Sequence, residues 1–75
     1  MPPSLPVLSG REVVRILGSL GWQATRQSGS HIIMIKEEQM ITLSIPDHKE
    51  IAKGTLRSII RAAGLTVNEF VAAIG

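Results

Sequence analysis

The stretch Arg26-Gln27-Ser28-Gly29-Ser30-His31-Ile32-Ile33-Met34-Ile35-Lys36 constrains the fold more than any other. Ser28-Gly29-Ser30 has turn chemistry: Gly29 tolerates a positive φ, and the serines can bond nearby backbone. Ile32 to Ile35 is an unbroken apolar run with three β-branched residues, which suits a strand in the middle of a sheet. A central strand needs a partner on each side, so the neighbouring segments must be read as strands too. His31 sits where the turn meets the strand. A rigid sheet can hold an imidazole in one place while the turn keeps it accessible, and His is the side chain whose unperturbed pKa lies near neutrality. The plain alternative is that His31 only ends a hydrogen-bond ladder, and local sequence leaves both readings open.

The flanking segments supply what such a strand requires. Ser9-Gly10-Arg11-Glu12 fits a capping box that opens a helix running to about Leu20. Val13, Leu17 and Leu20 recur at helical spacing, Val14 and Ile16 widen the apolar stripe, and Gly21 is a C-terminal stop. Gly18 weakens this helix slightly and would allow close packing. Trp22 to Gln27 reads as the first strand, with Trp22, Ala24 and Arg26 on one face and Gln23, Thr25 and Gln27 on the other. Trp22, directly after a helix end, reads as a core anchor. A polar loop at Glu37-Glu38-Gln39 leads to a third strand over Met40–Ile45, where Ile41, Leu43 and Ile45 alternate with Met40, Thr42 and Ser44. A three-residue loop would set His31 opposite Ile45, and a one-residue slip would carry His31 to the other face.

Pro46 stops the third strand. After the polar connector Asp47-His48-Lys49-Glu50, a second helix should begin within about 50–54 and run to Ala63. Its stripe is Ile51, Leu56, Ile59, Ile60 and Ala63, with Lys53, Arg57 and Arg61 on another face. Gly64 ends it, and Thr66-Val67-Asn68-Glu69 is a second capping box opening a short helix with Phe70, Val71 and Ile74. The order α-β-β-β-α(-α) predicts an α+β fold of two layers, a three-stranded antiparallel sheet with helices on one face. That order is shared by the double-stranded-RNA-binding domain, which is not by itself a warrant for function.

The chain has 75 residues, the length of one domain, and 44% are apolar, enough for one core. Residues 1–8 carry three prolines and read as an extended N-terminal arm. With no cysteine, disulfides and thiolate metal sites are excluded. Nothing reads as a secretory signal or a membrane span, so the expected location is cytoplasmic. Eight Lys/Arg against six Asp/Glu is a mild basic excess, and the placement of Lys49, Lys53, Arg57 and Arg61 on one late segment says more than the total.

Gly21-Trp22, then Arg26-Gln27-Ser28-Gly29-Ser30-His31, then Pro46-Asp47-His48, then Lys53-Gly54-Thr55-Leu56 with Ile59 and Ala63-Gly64-Leu65, together resemble the HicA toxin family, also called YcfA-like. The resemblance spans about residues 7–72. It implies a fold like the double-stranded-RNA-binding domain. It further implies the toxin half of a type II toxin–antitoxin pair, an mRNA interferase that blocks translation and is neutralised by a HicB-like antitoxin covering the active site. The family's catalytic histidine falls on His31, with Gly29 and Ser30 in the same motif. The second histidine falls on His48, whose role stays open. Asp47 and residues 49–52 carry little weight in that comparison.

The expected chemistry is endoribonuclease transesterification. Neutral His31 would take the proton of a ribose 2′-hydroxyl, which then attacks the adjacent phosphorus. Backbone N–H groups around Gly29 and Ser30 would meet the developing charge, and Lys36, Lys53, Gly54 and Arg57 are the candidate phosphate contacts. No carboxylate cluster suggests a metal, so the expectation is metal independence and no cofactor. The alternatives are a non-catalytic RNA-binding module and an interaction domain that only docks a partner through an exposed sheet edge.

Overall fold

Helix α1 (Gly10–Ser19) starts where the capping box places it. Ser9 Oγ accepts from the Glu12 N–H at 3.1 Å, and Glu12 Oε1 accepts from the Ser9 N–H at 2.9 Å. The Ser9 backbone N–H, and after it the Ser9 hydroxyl, hold the Glu12 carboxyl below the ordinary glutamate range, with a smaller contribution from Arg15. Val13, Ile16 and Leu17 form its buried face. Gly21, at φ +100°, reverses the chain past the helix end, and its N–H donates to Gly18 O at 3.2 Å. Gly18 serves no packing purpose, contrary to the sequence reading: a Cβ there would meet nothing within 4 Å.

The computed structural model describes residues 5–75. After α1 come β1 (Trp22–Ser28), β2 (His31–Lys36) and β3 (Leu43–Pro46), paired antiparallel in the order β1-β2-β3 with β2 in the centre. Helix α2 (Lys53–Ala62) and helix α3 (Val67–Ala72) complete the order α-β-β-β-α-α. Trp22, Met34, Leu43 and Ile45 turn inward against Val13, Ile16 and Leu17 of α1 and Leu56, Ile59 and Ile60 of α2. Each such side chain removed fully from water contributes about 1.5–3 kcal/mol. Both long helices therefore lie on one face of the sheet, and among the described residues the other face is left open.

Three details of the sheet differ from expectation. The alternating run from Met40 is not a strand before Leu43. Residues 37–42 form a loop with Glu38 at φ +73°, and Met40 and Ile41 point into solvent, 99% and 49% exposed. The longer loop frees the β2–β3 register from turn geometry. His31 pairs with Pro46, one residue away from the expected Ile45, and Ile32 pairs with Ile45 and Met34 with Leu43. The cause is burial: this register puts Met34, Leu43 and Ile45 on one inward face, whereas the slipped one would drag His31 in with Ile45. Third, β1 carries a bulge between Ala24 and Arg26. The extra residue exchanges the faces beyond it, so Arg26 pairs with Ile33 on the open side and Gln27 with Ile32 on the helix side.

The end of α2 is a Schellman motif, with Gly64 at φ +76°, its N–H donating to Arg61 O at 3.0 Å and the Leu65 N–H to Ile60 O at 3.1 Å. Thr66 and Glu69 form the second capping box, which lowers the Glu69 pKa as at Glu12, and α3 inserts Phe70 into the core. Of the arm expected over residues 1–8, residues 1–4 lie outside the described residues. Residues 5–8 form neither helix nor strand, yet Leu5 and Leu8 belong to the core, and Leu8 O accepts from the Ile51 N–H at 2.8 Å. Among the described residues no helix is long and apolar enough to cross a membrane.

Candidate active site

Ser28 and His31 are the closing pair of a two-residue hairpin loop, Gly29-Ser30. Gly29 has φ +60° and Ser30 does not share the positive sign, the pattern of a type II′ turn with glycine first. A Cβ at Gly29 would touch nothing within 4 Å, so glycine is needed there for its conformation and not for space. The turn matches the right-handed twist of the strands it joins, so the first residue of β2 emerges in a defined direction. That residue is His31, and it is exposed.

Directly paired residues share a face, so His31 stands with Ser28, Pro46, Arg26, Ile33 and Ser44 on the open side of the sheet. Ile35 continues this face and is 42% exposed. The Asp47 N–H donates to Ser30 O at 2.7 Å, which stitches the exit of β3 to the turn. Arg11–Asp47 is the sole ion pair among the described residues, so no carboxylate holds either imidazole.

Asp47, given little weight from sequence, is a junction. Its Oδ1 accepts from Arg11 Nε and its Oδ2 from Gln27 Nε2, both at 3.3 Å. Gln27 Nε2 also donates to Gly29 O at 3.3 Å. Gly10 is the second residue that sequence reasoning missed. It is buried at the start of α1, where its N–H donates to His48 O at 2.9 Å. A Cβ on Gly10 would collide with the Pro46 carbonyl oxygen and lie 3.0 Å from the Pro46 carbonyl carbon and 3.1 Å from Asp47 Cα. The available signal was a glycine at the first helical position, where helix propensity would choose almost anything else.

The candidate residues fall in three places. Gly29, Ser30, His31 and His48 meet at one end of the sheet, where the β1–β2 turn, the exit of β3 and the start of α1 converge. The His48 side chain is exposed, and its backbone receives α1. Lys53, Gly54 and Arg57 are exposed on the first turns of α2, which follows the connector 47–52 from that same end. The Ala52 cap provides no side-chain bond to the first N–H groups of α2. Lys36 is not brought together with the rest. It pairs with Trp22 at the other end of β2, about 17 Å along the strand from His31. Its half-buried stem instead passes over Gly21, where a Cβ would lie 3.2 Å from Lys36 Cε. A groove of about 430 Å³ between α1 and β1 is lined by Arg11, Val14, Ala24 and Ile32 among others. Ala24, Gln27 and Ile32 lie on its helix side, and Arg26 lines it from the β1 edge. Among the described residues no three His, Asp or Glu side chains converge as metal ligands would.

A family model described as the HicA toxin of bacterial toxin–antitoxin systems matches residues 10–65. That span contains the hairpin turn, His31, His48 and the whole of α2. Among solved structures, a toxin–antitoxin complex from Streptococcus pneumoniae contains a chain that is 39% identical, with a TM-score of 0.70 over 77% of this chain and 98% of that one. No curated protein sequence matches.

Proposed function

Because the chain belongs to the HicA family of toxins from bacterial toxin–antitoxin systems, we propose that it is an endoribonuclease that cleaves mRNA in the cytoplasm with His31 as general base. The observation that carries this reading is the register of β2 on β3. By pairing Ile32 with Ile45, it gives the aliphatic side chains to the core and leaves His31 on the open, solvent-facing side. An RNA strand lying on that face would offer a 2′-hydroxyl to a neutral imidazole. General-base assistance there supplies about 10²–10⁴-fold. The hydroxyl oxygen attacks the adjacent phosphorus, the bond to the 5′-oxygen breaks, and the products are a 2′,3′-cyclic phosphate and a 5′-hydroxyl. DNA has no such nucleophile, so the mechanism itself selects RNA.

Negative charge on the phosphorane requires donors that are fixed before reaction. The turn amides at Gly29 and Ser30 are one source. The unpaired N–H groups opening α2, with the Lys53 ammonium and Arg57 guanidinium beside them, are a second, suited to the phosphates flanking the cleaved bond. His48 enters as a candidate proton donor to the leaving oxygen, since it is exposed at the same end of the sheet. Lys36, at the far end of β2 and paired with Trp22 on the helix side, is left out of this set of contacts. The partner is a HicB-like antitoxin, whose docking over the open face would deny RNA access to His31.

Expression of the wild type and His31→Ala in cells, scoring growth and RNA integrity, tests the reading. Growth arrest with RNA fragmentation by wild type alone is expected. Equal arrest by His31→Ala with intact RNA would favour a non-catalytic RNA-binding module.

A further inference from the structure

We infer that Asp47 and Gln27 are positioning residues for the His31-bearing turn, and that Asp47 couples the turn to α1 through Arg11. The inference rests on the ribonuclease reading above. A two-residue turn at the tip of a hairpin has solvent on most sides and would ordinarily flex relative to its sheet. Here four bonds hold it. The Asp47 N–H donates to Ser30 O at 2.7 Å, so the exit of β3 grips one turn residue through backbone. Gln27 Nε2 donates to Gly29 O at 3.3 Å, gripping the other. The same amide donates to Asp47 Oδ2 at 3.3 Å, closing a ring that runs from β1 through the turn to β3. Asp47 Oδ1 then accepts from Arg11 Nε at 3.3 Å, anchoring the ring to a helix whose own buried face is fixed in the core.

The chemistry of each position follows from this ring. Gln27 must donate twice from one nitrogen, which an amide does with its two N–H bonds and a carboxylate cannot. Asp47 must accept on two oxygens at once, which a carboxylate does and an amide does not. The bulge in β1 is what makes the ring possible, because it turns Gln27 to the helix side, where Asp47 and Arg11 lie. None of the three touches the open face that carries His31. They act through the turn, on the direction from which the imidazole meets the 2′-hydroxyl. A displacement of about 1 Å in such a group can cost about 100-fold.

The test is steady-state cleavage of a short oligoribonucleotide by purified wild type, Gln27→Ala, Gln27→Glu, Asp47→Asn and Asp47→Ala, with thermal melts and the heteronuclear NOE of the Gly29, Ser30 and His31 amides. Gln27→Ala and Asp47→Ala should lower kcat about 10- to 100-fold with KM within about twofold, and the turn amides should become more mobile while the protein stays folded at assay temperature. Asp47→Asn, which keeps one acceptor oxygen, should fall between Asp47→Ala and wild type. Gln27→Glu should be at least as impaired as Gln27→Ala, since it sets a carboxylate against Asp47 and Gly29 O. A cleaving wild type whose Gln27→Ala and Asp47→Ala variants keep its kcat, or lose only KM, would overturn the positioning role alone. A folded wild type that leaves RNA intact would overturn the ribonuclease reading and the positioning role with it.

Discussion

Gly10→Ala exchanges one hydrogen for a methyl group, and helix propensity alone would favour it by up to about 1 kcal/mol. The structure predicts the opposite sign. The new Cβ would overlap the Pro46 carbonyl oxygen and crowd the Pro46 carbonyl carbon and Asp47 Cα, all backbone atoms with no rotamer to escape into. Helix α1 cannot slide away freely, because Val13 and Leu17 are 0% exposed and Ile16 is 1%. Overpacking of this kind costs about 1–3 kcal/mol. Parting α1 from the strand exit also stretches the bond from the Gly10 N–H to His48 O, a buried donor whose loss costs about 1–3 kcal/mol. Net of propensity, destabilisation of about 1–5 kcal/mol is expected. For a domain of this size that corresponds to a Tm lowered by at least about 4 °C. Gly18→Ala is the internal control in the same helix: with nothing within 4 Å of the new methyl group it should raise stability by about 0.5–1 kcal/mol. Thermal unfolding followed by circular dichroism on both variants decides the matter. A Gly10→Ala protein melting at or above the wild-type temperature would refute the close-approach argument.

Further outcomes follow from the caps, the cationic helix and the absence of ligand clusters among the described residues. Glu12 and Glu69 have folded-state pKa values below their unfolded values, so each contributes stability that is present above about pH 4.3 and lost as pH falls through its lower folded value. Glu12→Gln with Glu69→Gln should flatten the fall of Tm on acidification, and a profile as steep as wild type would remove the capping boxes as its cause. Charge reversal of Lys53 and Arg57 together should weaken single-stranded RNA binding and reduce the salt slope by about 1.4, for two phosphate contacts. A slope equal to wild type would return both side chains to an ordinary solvated helix face. Cleavage should persist in excess EDTA, and a loss restored by Mg²⁺ would show that a metal takes part.

What was legible in the sequence was what neighbouring residues decide. Ser9 with Glu12 and Thr66 with Glu69 are three apart, and both caps form as read. Gly29 and Gly64 signal their turns because only a missing Cβ makes a positive φ inexpensive. Misreadings arose where distant residues decide. The alternation from Met40 to Ile45 is as regular in the loop as in the strand, and only burial of Leu43 and Ile45 separates the two. The register of His31 turns on which aliphatics reach α1 and α2, which no local pattern encodes. The bulge at Ala24/Arg26 silently reversed the faces of Arg26 and Gln27. Asp47 was passed over for the same reason, since its partners Gln27 and Arg11 lie 20 and 36 positions away.

The chemistry of the cut ends tests the central claim most directly. Purified protein should convert an oligoribonucleotide to fragments ending in 2′,3′-cyclic phosphate and beginning with 5′-hydroxyl, His31→Ala should yield neither, and a fully 2′-deoxy substrate should survive. Fragments beginning with 5′-phosphate, or cutting of the 2′-deoxy substrate, would contradict a mechanism in which His31 activates the ribose hydroxyl.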